Sequence, residues 1–140
     1  MSEHLFILAP LTGWVTAQTL KVIFELRKDG VQLKDAWASG GMPSSHSAGI
    51  VALTTAIGIE EGMSSAIFGL ALTVTAVILY DSVGVRRTTG ENALAITELE
   101  SKLHTRPKQS VHIAKGHTPE QVLGGVVLGM FIGVVLTKLL

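Results

Sequence analysis

The chain has no cysteine, which excludes disulfide frameworks, thiolate metal sites and a cysteine nucleophile. Charge is scarce as well: Asp, Glu, Lys and Arg make up only 16% of 140 residues. A disordered chain would be polar and rich in charge, so that class is excluded. Nor is there an excess of either sign, since 11 Lys and Arg balance 11 Asp and Glu. A simple nucleic-acid binder would carry a net basic footprint, and no nucleic-acid partner is expected. The sequence offers apolar residues instead. The hydrophobic fraction is 47% and the mean hydropathy is +0.46, too apolar for an ordinary soluble chain of one-domain length.

The distribution of charge says more than its sum. Leu5–Phe24 contains one charged residue, Lys21, and Gln121–Leu140 contains only Lys138. Met42–Ile59 and Ser64–Tyr80 contain none. Each stretch is close to the roughly 20 residues a helix needs to cross a hydrocarbon core about 30 Å thick. Four such stretches, with little polar surface to cover them, predict an all-α integral membrane helix bundle with about four spans. Met1–His4 is acidic and no small-residue cleavage site follows the apolar run, so a signal peptide is not expected and the first span should be retained.

Orientation is read from Lys and Arg alone. With four spans, Arg27, Lys28, Lys34, Arg86, Arg87, Lys102, Arg106, Lys108 and Lys115 all fall on one side, nine of the 11 basic residues. That side is expected to face the cytoplasm of a multi-pass cell-membrane protein, with both termini outside. Between Thr88 and His104, Ala93, Ile96, Leu99 and Leu103 recur at three- and four-residue spacing among charged residues. This predicts a cytoplasmic amphipathic helix, capped by Thr88 or Thr89, within an insertion over 88–116 of a single domain spanning 1–140. Small residues repeat every four positions at Ala48, Ala52 and Ala56 and at Gly125, Gly129 and Gly133. The spacing lets helix backbones approach closely, either within the chain or in a homodimer.

Three polar clusters fall at span ends on the basic side. Ser39-Gly40-Gly41-Met42-Pro43-Ser44-Ser45-His46-Ser47 leads into the second span. Glycine permits close backbone approach, and a helix start offers unpaired N–H groups and a positive dipole end. With the Ser44 and Ser45 hydroxyls this is chemistry suited to an oxyanion. The bland alternative is a Gly-rich turn with serine caps. Tyr80-Asp81-Ser82-Val83-Gly84-Val85-Arg86-Arg87 closes the third span. Its arginines serve either as head-group anchors or as a phosphate clamp, and Asp81 calls for a partner. His117-Thr118-Pro119-Glu120-Gln121 opens the last span, with Pro119 suited to a first helical turn.

In order and spacing these clusters resemble the type 2 phosphatidic acid phosphatase and vanadium haloperoxidase superfamily, closest to its divergent short membrane branch. Its pattern is K-x6-R-P, then P-S-G-H, then S-R-x5-H-x3-D. Pro43-Ser44-Ser45-His46 is similar to the second motif, with Ser45 in place of Gly. His117 to Gly125 is similar to the histidine half of the third, and Arg86 or Arg87 stands for its arginine. Lys21 matches the first lysine, with Lys28 seven residues on where the pattern has arginine. Gln121 replaces the aspartate that orients the histidine, with Glu120 or Asp81 as substitute carboxylates, and no Arg-Pro follows Lys21.

The resemblance implies a phosphatase that uses no metal or other cofactor. His117 would be the nucleophile and His46 the general acid and base. Lys21, Lys28, Arg86 and Arg87 would neutralise phosphate oxygens, and Gly41, Ser44 and Ser45 would cradle them. A site at the membrane edge suits a lipid phosphate, with phosphatidylglycerophosphate or phosphatidic acid as first candidates. A catalytically weak binder of anionic lipid and a vanadate-dependent oxidant are the alternatives.

Overall fold

A computed structural model of the chain describes residues 4–27, 41–103 and 116–140. Within them lie five helices: α1 (Leu5–Leu26), α2 (Ser45–Glu60), α3 (Ala66–Val83), α4 (Val85–Lys102) and α5 (Pro119–Leu139). Three helical runs are long and apolar enough to cross a membrane: Leu5–Leu26, the run that begins at Ala66, and Pro119–Leu139. The remaining apolar stretch is shorter than the sequence predicts. Met42–Ser44 form a turn and cap, and α2 keeps 16 residues, about 24 Å of helix. This short helix is the centre of the bundle. It packs against α1, α3 and α5, and ten of its residues are buried.

Lipid tails are as apolar as leucine, so helix association here depends on close packing rather than on the hydrophobic effect. Small residues supply that closeness. A methyl group on Gly129 would fall 2.5 Å from the Ala48 carbonyl oxygen, and one on Gly13 would fall 2.8 Å from the same atom. Ala48 is thus held between α1 and α5. Gly125 meets Ser44 and Ser47, and Gly133 meets Ala52 and Thr55, at similar range. Both small-residue ladders are therefore consumed inside one chain. A homodimer through Gly125, Gly129 and Gly133 would have to compete with these contacts. Leu5, Ala9, Ala52, Ala56 and Ile132 close the core at the end away from the starts of α2 and α5.

α3 is held differently. Thr54 and Thr75 hydroxyls lie 2.7 Å apart across the α2–α3 contact, a polar link that hydrocarbon surroundings favour over an unpaired hydroxyl. Otherwise only Ser82 of α3 is fully buried, while Ile67, Leu70, Leu72, Val77 and Tyr80 are largely exposed. A soluble protein rarely exposes so continuous an apolar surface; a helix facing lipid does. The α2–α3 turn uses Gly62 at φ 86° and Ser65, whose hydroxyl caps α3 by accepting from the Phe68 amide at 3.2 Å.

The amphipathic segment begins earlier than expected. Helical hydrogen bonds continue through Gly84, whose N–H donates to Tyr80 O at 2.9 Å and whose carbonyl accepts from Thr88 N at 3.0 Å. Thr88 and Thr89 are therefore not caps. Their hydroxyls donate to Gly84 O and Val85 O, one turn back, as threonines inside a helix do. The part of the 88–116 insertion beyond Leu103 lies outside the described residues up to Gly116.

Candidate active site

The start of α2, the end of α3 and the start of α5 meet at one end of the bundle, beside the last turns of α1. Two main-chain bonds tie them. Ser44 N donates to Gln121 O at 3.0 Å, and His117 N donates to Ser82 O at 3.3 Å. Polar residues on three separate elements are thereby brought together.

At the start of α2, Ser44 is the N-cap and is fully buried. Its hydroxyl accepts from Ser47 N at 3.4 Å and from Ser47 Oγ at 3.0 Å. Both bonds use the Ser44 hydroxyl oxygen as an acceptor, and neither uses its proton. Helix geometry leaves the amides of Ser45 and His46 without intrahelical acceptors, and these keep the anion-binding character of the helix start. Gly41 adopts φ 89° and leads into a cis Met42–Pro43 peptide. A side chain on Gly41 would meet Lys21 Cγ at 3.0 Å and Glu25 Oε1 at 3.4 Å. The turn therefore lies directly on Lys21, which is only 4% exposed. The lysine and glycine named from the sequence do adjoin one another.

His46, in the first turn of α2, lines a cavity of about 370 Å³ together with Val77, Ile78, Asp81 and Ser82 of α3. Asp81 thus shares this cavity with His46. Ser82, through its carbonyl, is the residue that anchors His117.

At the start of α5, Thr118 and Gln121 form a capping box. Thr118 N donates to Gln121 Oε1 at 3.1 Å, and the same oxygen lies 3.3 Å from His117 Nδ1. Because Thr118 N can only donate, the Gln121 atom facing both groups is its carbonyl oxygen. A carbonyl only accepts, so Nδ1 carries the ring proton. A neutral His117 then has its lone pair on Nε2, the tautomer that nucleophilic attack requires. His117 is itself buried, at 8% exposure.

Other predicted residues stand elsewhere. Glu120 is exposed and lines a different groove, between α1 and α5, so it is not the carboxylate behind His117. Arg87 is exposed and its Nε is 3.0 Å from Glu91 Oε1. This pair runs one turn along the exposed face of α4. Arg86 lies in α4, but its side chain is outside the described residues, as is all of Lys28.

Sequence reasoning missed three buried polar residues here: Gln18, one turn before Lys21, and Ser47 and Ser82. Each was visible as a polar residue in a stretch otherwise fit for lipid. Ser47 and Ser82 stood inside polar clusters named from the sequence without a role of their own, and Gln18 stood in none.

Residues 2–132 match the Divergent PAP2 family, and the chain belongs to that family. Among its relatives, the "Uncharacterized membrane protein YuiD" of Bacillus subtilis (strain 168) is 31% identical over 148 residues, covering 93% of this chain and 92% of that protein. No solved structure matches the chain.

Proposed function

We propose that this protein is a membrane phosphatase that hydrolyses the phosphate monoester of a lipid through a phosphohistidine on His117. The observation that carries the reading is the Gln121 oxygen between Thr118 N and His117 Nδ1, which orients a buried imidazole through its Nδ1 edge. Nε2 forms a bond to phosphorus while the ester P–O bond breaks, and the leaving alkoxide takes a proton from His46. Water then attacks the phosphohistidine, with His46 accepting the water's proton, and releases inorganic phosphate. Covalent catalysis of this kind divides one hard step into two easier ones.

Lys21 and the α2 amides near Ser45 and His46 supply the positive environment for the phosphate oxygens. Such charge stabilisation carries most of the catalysis in phosphoryl transfer. The membrane setting favours a lipid substrate, with phosphatidylglycerophosphate or phosphatidic acid as the first choices.

The ion pair holding Arg87 on Glu91 and the lack of a carboxylate at position 121 favour a second reading, a lipid-phosphate binder with little turnover. One experiment separates the two. Protein purified in detergent should release phosphate from a lipid panel in the presence of EDTA, and vanadate should block the release. His117→Ala should reduce kcat by at least about a thousandfold, as loss of a covalent nucleophile does. His46→Ala should cost about 10²–10⁴. Binding of these lipids without phosphate release, in wild type and His117→Ala alike, overturns the enzyme in favour of the binder.

A further inference from the structure

α4 carries an amphipathic pattern that the proposed reaction does not use. Val85, Ile96, Leu99 and Leu103 are each more than half exposed. At 100° per residue they fall within about 60° of one another around the helix axis. Asn92 shares that sector, and Thr89 and Glu100 border it; the Thr89 hydroxyl is taken up by Val85 O at 2.9 Å. The far side holds two ion pairs one turn long, Arg87 with Glu91 at 3.0 Å and Lys102 with Glu98 at 2.7 Å. Leu94 is the one exposed large apolar residue on that charged side.

Position decides what the apolar stripe meets. α3, in the membrane-crossing run, ends at Val83, and α4 begins at Val85. Gly84 between them, at φ −91° and ψ −84°, departs from helical backbone geometry, so α4 is not a straight extension of α3; its first turn lies where a span reaches the lipid head groups, and the stripe starts at that level. We propose that α4 is a membrane-surface helix whose partner is the bilayer itself, docked by burial of Val85, Ile96, Leu99 and Leu103. Charge separates this from the common electrostatic anchor. Interfacial helices usually carry surplus Lys and Arg that attract anionic lipids. Here Arg86, Arg87 and Lys102 are balanced by Glu91, Glu98 and Glu100, and two of these pairs are already made within the helix. Docking is thus apolar and independent of anionic lipid and of salt. It does not depend on whether the protein is a phosphatase.

The absence of native cysteine makes the test direct. Single cysteines are placed in the full chain by Ile96→Cys and Leu99→Cys on the stripe, and by Leu94→Cys and Ser101→Cys off it. Each is nitroxide-labelled and reconstituted into phosphatidylcholine vesicles with and without phosphatidylglycerol, at low and high salt. Labels at 96 and 99 should be several-fold more accessible to oxygen than to a water-soluble nickel chelate, with the reverse at 94 and 101, in every lipid and salt condition. Nickel access at all four sites, meaning a helix projecting into water, overturns the proposal. So does shielding of all four from both reagents, meaning a helix packed on protein. A contrast seen only with phosphatidylglycerol, or lost at high salt, overturns its apolar basis.

Discussion

Gln121 has two tasks that the usual aspartate would share differently. Its side chain closes the α5 capping box and also holds His117 Nδ1. A neutral amide orients the ring but cannot stabilise the imidazolium that forms when the ring is charged. Gln121→Glu keeps the length and the acceptor, so the cap and fold should persist. A carboxylate there favours the protonated ring, and in the proposed mechanism only the neutral ring could attack phosphorus. The acid limb of the pH–kcat profile should therefore move to higher pH, which a pH-rate series on the lipid substrate measures. Gln121→Ala should lower kcat by about 10–100-fold, the usual effect of losing the partner that orients a functional histidine, with a smaller change in KM. Equal losses in kcat and thermal stability for both variants would reduce Gln121 to a helix cap. His46, His117 and Lys21 were legible because histidine and lysine stand out against apolar stretches. For Ser44 and Arg87 the sequence left two good uses open, and it does not say which of the two a polar group takes. Ser44 caps its own helix, and Arg87 finds Glu91 at the favourable i, i+4 spacing.

Elements were legible where hydropathy alone decides them, as in α1 and α5, whose apolar stretches coincide with helices. The start of α4 was not, because Thr88 and Thr89 read as caps by propensity. The boundary is Gly84, where α3 ends and α4 begins, and both threonines lie within α4 with hydroxyls bonded one turn back. The sequence also left open where the small-residue ladders face, since intrachain and interchain packing demand the same spacing. The α2–α5 seam makes graded predictions on this point. Gly129→Ala places a methyl 2.5 Å from a main-chain oxygen, whereas at Gly124 the nearest atom is the mobile Met42 Cε at 3.0 Å, and at Gly69 nothing lies within 4 Å. Thermal unfolding in detergent should show Gly129→Ala destabilised by about 1–3 kcal/mol or more, as overpacking predicts. Gly124→Ala should be nearly neutral. Gly69→Ala should be stabilised by up to about 1 kcal/mol from helix propensity. A Gly129→Ala as stable as Gly69→Ala would mean that α2 and α5 are not in contact at this seam.

At the scale of the whole molecule, the bundle sorts its chemistry by end. His46, Asp81, Ser82, His117, Gln121 and Lys21 gather where α2 and α5 begin, while the opposite end is closed by the α2–α3 turn and the Leu5–Ile132 cluster. Nine of the 11 basic residues belong to the connections at the first end. Balanced net charge thus hides a polarity along the membrane normal, and the proposed phosphate site would sit on its positive side. Basic connections are retained in the cytoplasm, so we infer that the histidines face inward. Cysteine labelling in intact cells checks this on a chain with no background thiols. Met63→Cys lies in the α2–α3 turn, where Met63 is 78% exposed, and Ser101→Cys lies near the end of α4. A membrane-impermeant maleimide should modify Met63→Cys directly and Ser101→Cys only after the membrane is opened. The opposite pattern would invert the protein and bring the site to lipid phosphates of the outer leaflet. Modification of both in intact cells would break the topology, because α3 could not then separate its two ends across the bilayer.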